Sequence, residues 1–142
     1  PSGGPIADSM DTAPWKKMVA EYKQENPKGF PSPSLFMYGY YCATLAALEG
    51  LKEVNGDLSD DQKAFREALS TIKLQAPAGV ITLDENRQAI ADIFLTEVIL
   101  GKDGNLYNKV IKVIPKVNQS MGWDPQKFLD LGPVGRANPP CD

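Results

Sequence analysis

Near Leu74 the spacing of apolar residues changes period, and this change limits the possible folds more than any other feature of the sequence. Before it, apolar side chains recur every three or four residues; after it, they fall in short continuous blocks. Helices with one apolar stripe followed by strands must pack against each other, which points to an α/β or α+β arrangement. At 142 residues, one domain of ordinary size is expected.

Three helices are predicted before the change. The first covers 12–25: Asp11 or Thr12 can cap it, Pro14 fits the first turn where no amide donor is needed, and Trp15, Met18, Val19 and Tyr22 form its stripe. Asn26-Pro27-Lys28-Gly29 ends it. Phe30-Pro31-Ser32-Pro33-Ser34 then reads as a stiff, extended connector, because each proline turns its predecessor away from helix. Ser34-Leu35-Phe36-Met37 reads as a short buried strand leading into a second helix over 40–54, with Tyr41, Leu45, Leu48 and Leu51 on its apolar face. Asn55-Gly56 supplies a left-handed stop, and the small residues Ala43, Ala46, Ala47 and Gly50 suit close packing on a sheet. The third helix, 59–72, opens with a capping box, Ser59-Asp60-Asp61-Gln62, and buries Phe65, Ala68, Leu69 and Ile72.

Beyond Leu74, strands are predicted over 79–83, 93–98 and 109–114, the last two forming a β-hairpin around the polar turn 101–105. Asp124-Pro125 caps a short helix carrying Phe128, Leu129 and Leu131, and the Pro- and Gly-rich tail 132–142 is expected to lie extended on the surface. The opening Pro1-Ser2-Gly3-Gly4-Pro5 starts within a loop and suggests a processed or truncated piece of something longer, or a trimmed one.

Composition removes several function classes. The charge sum is −3 with no basic stripe, which disfavours a nucleic-acid partner. There is no histidine, so Ser-His and Cys-His nucleophile pairs and His-ligated metals are excluded. Two cysteines, Cys42 and Cys141, are too few for an all-cysteine metal site; Cys42 reads as a small buried hydrophobe, Cys141 as a free or externally paired thiol. Pro1-Ser2-Gly3-Gly4 lacks the Lys-Ser/Thr ending of a nucleotide loop and reads as a turn. Asp84-Glu85-Asn86 and Asp103-Gly104-Asn105 lack the twelve-residue calcium pattern and read as solvated turns. Asp60 and Asp61 complement a helix dipole, and Glu97 has no second acid beside it for acid–base work. No catalytic residue, metal or cofactor is implied, and binding is favoured over catalysis.

One constellation carries a functional reading. Phe36, Tyr38, Tyr40 and Tyr41 fall within six residues at a strand-to-helix junction, beside Met37 and Gly39. They are either core aromatics whose hydroxyls reach water, or the wall of a small-ligand site, with rings supplying apolar area and hydroxyls the few placed polar contacts. Strand alternation would set Phe36 and Tyr38 on one side and leave Tyr41, on the helix, for the core.

These residues also carry a resemblance. Phe36-Met37-Tyr38-Gly39-Tyr40-Tyr41 followed by a small-residue helix resembles the Phe-x-x-x-x-Tyr segment of the branched-chain-amino-acid-type periplasmic solute-binding proteins of ABC transporters. Ala76-Pro77-Ala78-Gly79-Val80-Ile81-Thr82-Leu83-Asp84 is similar to that family's Gly-Pro-x-x-Phe-Asp stretch, and Asp92–Val98 to its final interlobe strand. Asn108–Pro115 resembles the hairpin of relatives with long C-termini, including some that take up aromatic acids. Cys42 departs from the family, where aspartate is common, and so does Asn86-Arg87 in the turn.

The resemblance implies an α/β fold: part of a two-lobed Venus-flytrap, with helices on a mostly parallel sheet plus a C-terminal β-hairpin. Residues 1–91 would be the second half of the first lobe, 92–98 an interlobe crossover, and 99–142 the hairpin, short helix and tail on the second lobe. The implied protein captures a small amino acid or aromatic acid, with Phe36 and Tyr38 as ligand-binding residues. It would deliver the ligand to a membrane permease from the periplasm, and an N-terminal remainder would complete it. A freestanding α/β partner-binding domain and a non-catalytic fragment of an enzyme stay open as alternatives.

Overall fold

A computed structural model describes residues 1–135; Cys141 and the end of the tail lie outside the described residues. In chain order the elements are β1 (Ser2–Gly4), α1 (Ala13–Glu25), α2 (Leu35–Glu53), α3 (Ser59–Ser70), β2 (Leu74–Ala76), β3 (Gly79–Leu83), β4 (Ala89–Leu100), β5 (Leu106–Val117) and α4 (Pro125–Leu129). Helices thus precede the main run of strands, as the change of period at Leu74 requires.

Thr12 is the α1 cap: its Oγ1 accepts from the Trp15 amide and donates to the Pro77 carbonyl, so one side chain starts a helix and ties it to the β2–β3 turn. Asn55 and Gly56 take the left-handed conformation expected of a helix stop, φ 51° and 76°, and the Gly56 amide donates to the Leu51 carbonyl at 2.8 Å. The capping box of α3 does not form. Asp57 Oδ1 takes the Ser59 amide at 2.9 Å, the one the Gln62 side chain would have to reach, and residues 60–62 adopt positive φ instead. Gly50 meets α3 rather than a sheet: a Cβ there would lie 2.9 Å from both Phe65 and Leu69 atoms.

The expected parallel sheet is not what the strands build: every described pairing is antiparallel. The reason is the brevity of the connections at 77–78, 84–88 and 101–105, which can close hairpins but cannot carry a crossover back to a parallel neighbour. β4 is longer than its apolar block suggested and organises the sheet. It pairs with β3 at 89–90, with β1 at 94–96 and with β5 over 91–100. β1, expected as a turn, gains its strand character only from that pairing. Among the described residues β5 has no second partner strand, which is where a proline can be accommodated. Pro115 has no amide to donate, the register shifts there, and Asp92 Oδ1 accepts the following Lys116 amide at 3.0 Å.

The outer edge of β5 is met by the segment after β1. Ser9 donates its amide to the Asn108 carbonyl, and its Oγ accepts the Val110 amide at 2.8 Å. Asp8 Oδ2 accepts the Asn108 amide at 2.5 Å.

Both turns, expected as solvated turns and not as calcium loops, spend their carboxylates on the protein itself. Asp84 Oδ1 accepts the Asn86 and Gln88 amides, each at 2.9 Å. Asp103 accepts from the Tyr107 hydroxyl at 2.5 Å and from Asn105. The Tyr107 hydroxyl first, and Asn105 second, hold the Asp103 carboxyl down to about 2. Because the folded value is the depressed one, this contribution to the hairpin is present above the ordinary carboxylate range and fades as pH falls from there towards 2. A carboxyl-detected NMR titration is expected to show Asp103 ionising in that low window, and Tyr107→Phe to return it towards the usual aspartate value.

Candidate functional site

The aromatic cluster lies on a helix from its first residue. Ser34 is the α2 cap, its Oγ accepting the Met37 amide at 3.2 Å and its carbonyl the Tyr38 amide at 3.0 Å. Pro33 keeps the preceding chain extended, and the helix begins at Leu35 instead of following a strand over 34–37. The missed signal was a Pro-Ser pair immediately before an apolar run, a cap written in sequence.

That shift of period rearranges the rings. At about 100° per residue, Phe36 and Tyr38 stand roughly 200° apart around the helix, so the shared strand face expected for them does not exist. Tyr38 turns inward and is 3% exposed. Its ring meets Trp15, 1% exposed, edge-to-face at 6.2 Å between centroids. Its hydroxyl accepts the Ala78 amide at 3.3 Å, and the Cys42 thiol lies beside it one turn on. Burial first, and the neighbouring thiol second, push the phenol well above its ordinary range; burial likewise raises the Cys42 thiol. Met18, Leu74 and Ala76 complete this core.

Tyr41, expected in the core, is 37% exposed and borders a shallow groove with Lys17 and Glu21. It falls three residues past Tyr38, off the inward line that runs from Tyr38 to Cys42. Phe36 and Tyr40, one turn apart, face outward together at 77% and 79% exposure. The structure therefore separates the two residues singled out from sequence: Phe36 is presented to solvent, and Tyr38 braces the helix that presents it.

The remaining polar candidates do not gather. Glu97 sits directly opposite Lys109 across the β4–β5 ladder. Among the described residues, no three histidine, cysteine or acidic side chains converge as a metal site would need. A cavity of about 520 Å³ opens between α2, α3 and β2, beside Glu49, Glu53 and Lys73. It lies about 20 Å along α2 from Phe36. Asp8, Ser9 and Ser32, whose hydroxyl donates to the second Asp8 oxygen, join segments far apart in the chain; only the fold brings them together.

Residues 2–105 match the family of periplasmic binding proteins. The fold is similar to an ABC transporter substrate-binding protein from Sphaerobacter thermophilus, with TM-score 0.74 and 25% identity over 81% of this chain and 30% of that one. It is similar too to a solute binding protein of an ABC transporter from Rhodopseudomonas palustris BisB5, solved with 3,4-dihydroxybenzoic acid: TM-score 0.72, 27% identity, 88% of this chain and 32% of that one. A leucine binding protein from Thermotoga maritima shares the fold at TM-score 0.59 and 22% identity, over 80% of this chain and 30% of that one. The chain thus spans about a third of the length of these structures. No curated protein matches it.

Because Tyr38 and not Tyr41 is the core aromatic, Tyr38→Ala is expected to destabilise the fold by about 3–5 kcal/mol and Tyr41→Ala by a small fraction of that. Tyr38→Phe, which removes the acceptor for the Ala78 amide and the hydroxyl beside the Cys42 thiol, is expected to cost about 1–2 kcal/mol. Urea denaturation of the three variants checks all three values.

Proposed function

As the chain belongs to the periplasmic binding protein family, we propose that it forms part of the substrate-binding component of an ABC-type uptake transporter. In this reading it helps enclose a small carboxylate, an aromatic acid or an amino acid, between two lobes, and hands it to a membrane permease from the periplasm. Residues 1–91 belong to the first lobe, 92–98 cross between lobes, and 99–142 belong to the second. The N-terminal remainder of the binding protein supplies the rest of both.

The observation that carries the proposal is the outward pair of rings on the first turns of α2. A phenyl ring left 77% exposed on a well-capped helix, with a tyrosine one turn along, offers apolar area and a hydroxyl to a ligand that must lose its water. Phe36 is the contact residue, and Tyr38 serves the same site from behind, by fixing α2 against Trp15 and the β2–β3 turn. Two further features support the two-lobe reading. β4 runs twelve residues, from its pairing with β3 past β1 and out along β5, as a strand passing between lobes would. Val98, Leu100, Leu106 and Ile111 on the hairpin are exposed, which suits a surface that more of the protein covers.

The structural relative at 27% identity was solved with 3,4-dihydroxybenzoic acid, so that acid is the first ligand to try. Calorimetric titration of the full-length protein with it, with benzoate and with leucine is expected to show binding of one class. Phe36→Ala is expected to weaken that binding by about 1–3 kcal/mol, the range for burying such a ring, with the thermal midpoint unchanged. Unchanged affinity in Phe36→Ala would remove this residue from the site.

A further inference from the structure

We propose that Asp8 is a positioning residue of the binding site, joining the β5 edge to the start of α2; this rests on the two-lobe reading above. Its carboxylate is shared between two segments that lie far apart in the chain. Oδ2 accepts the Asn108 amide at 2.5 Å on β5, and Oδ1 accepts the hydroxyl of Ser32. Ser32 is followed by Pro33 and then by Ser34, the α2 cap, two residues before Phe36. Pro33 restricts the backbone between them, so a displacement of Ser32 is passed on to the cap instead of being absorbed by free rotation.

The β5 side of the link is a continuous seam. Ser9 donates its amide to the Asn108 carbonyl, and its Oγ accepts the Val110 amide, so three hydrogen bonds hold 8–9 against 108–110. In the two-lobe reading this seam lies where the first lobe meets the second. A carboxylate suits such a junction, because when ionised it accepts on both oxygens at once, and hydrogen bonds to a charged group are stronger than neutral ones. Asparagine at the same place keeps one acceptor oxygen and must release one partner. Opening the seam therefore loosens the connector that carries Phe36, and a ligand that seats Phe36 favours the closed seam.

Hydrogen exchange on the full-length protein, read by segment, separates this coupling from local packing. Ser32→Ala is expected to raise exchange at amides 37–40 about tenfold and leave 108–110 unchanged. Asp8→Asn is expected to raise both segments. Ser9→Ala, which touches only the β5 side, is expected to raise 108–110 and, more weakly, 37–40. Because Ser32→Ala and Ser9→Ala each remove one hydroxyl at a partly exposed site, loss of folding does not confuse the result. Exchange at 37–40 that ignores both Asp8→Asn and Ser9→Ala overturns the coupling. The binding reading has its own readout: 3,4-dihydroxybenzoate, benzoate or leucine should slow exchange at 37–40 in the unmodified protein. If none of the three does, that reading fails, and with it the role of Asp8 in the site, whatever the variants show.

Discussion

Tyr38 joins the helices to the sheet with one side chain. Its ring packs edge-to-face on Trp15 of α1, and its hydroxyl accepts the Ala78 amide in the turn between β2 and β3. Thr12 reaches the same turn from the other side, through the Pro77 carbonyl. The turn is thus clamped by α1 and α2 together, and β3, which leaves it, delivers the chain to β4. In an interior this small, where Trp15 is the one fully buried large side chain among the described residues, such a junction carries much of the order of the whole.

The same junction fixes the direction in which the exposed aromatics point. A helix whose second turn is anchored in the core and whose first is capped by Ser34 has little freedom to tilt, so Phe36 and Tyr40 are presented on a rigid face. In the proposed site, rigid presentation would lower the ordering cost of binding. The buried and exposed rings of this segment therefore belong to one arrangement: the inward ring fixes the direction of the outward ones.

The sheet has a comparable division of work. β4 supplies the pairing edge for three other strands, while Asp92, Asp8 and Ser9 accept the β5 amides that no strand reaches. Side chains in these places leave β5 with fewer free donors than an ordinary edge strand and tie it to segments outside the sheet.

Much of this was legible in the residues themselves. The Thr12 and Asp124 caps, the Asn55-Gly56 stop and the hairpin around 101–105 are local chemistry, decided within a few residues, and they stand where the sequence places them. The membership of the chain in its family was legible too, in the α2 segment and the stretch from Ala76 to Asp84. What tertiary structure decided was everything dependent on distant partners. Ser59 and Gln62 could have formed a capping box, but Asp57 held the amide they needed. Ser2–Gly4 became a strand only because β4 lay beside it. Short apolar runs such as 34–37 satisfy both a strand and a helix period, so Phe36 and Tyr38 could be placed on one face or on opposite ones. Only packing against Trp15 chose, because a ring that buries in the core fixes the rotation of its helix, and with it the direction of every other side chain on that turn.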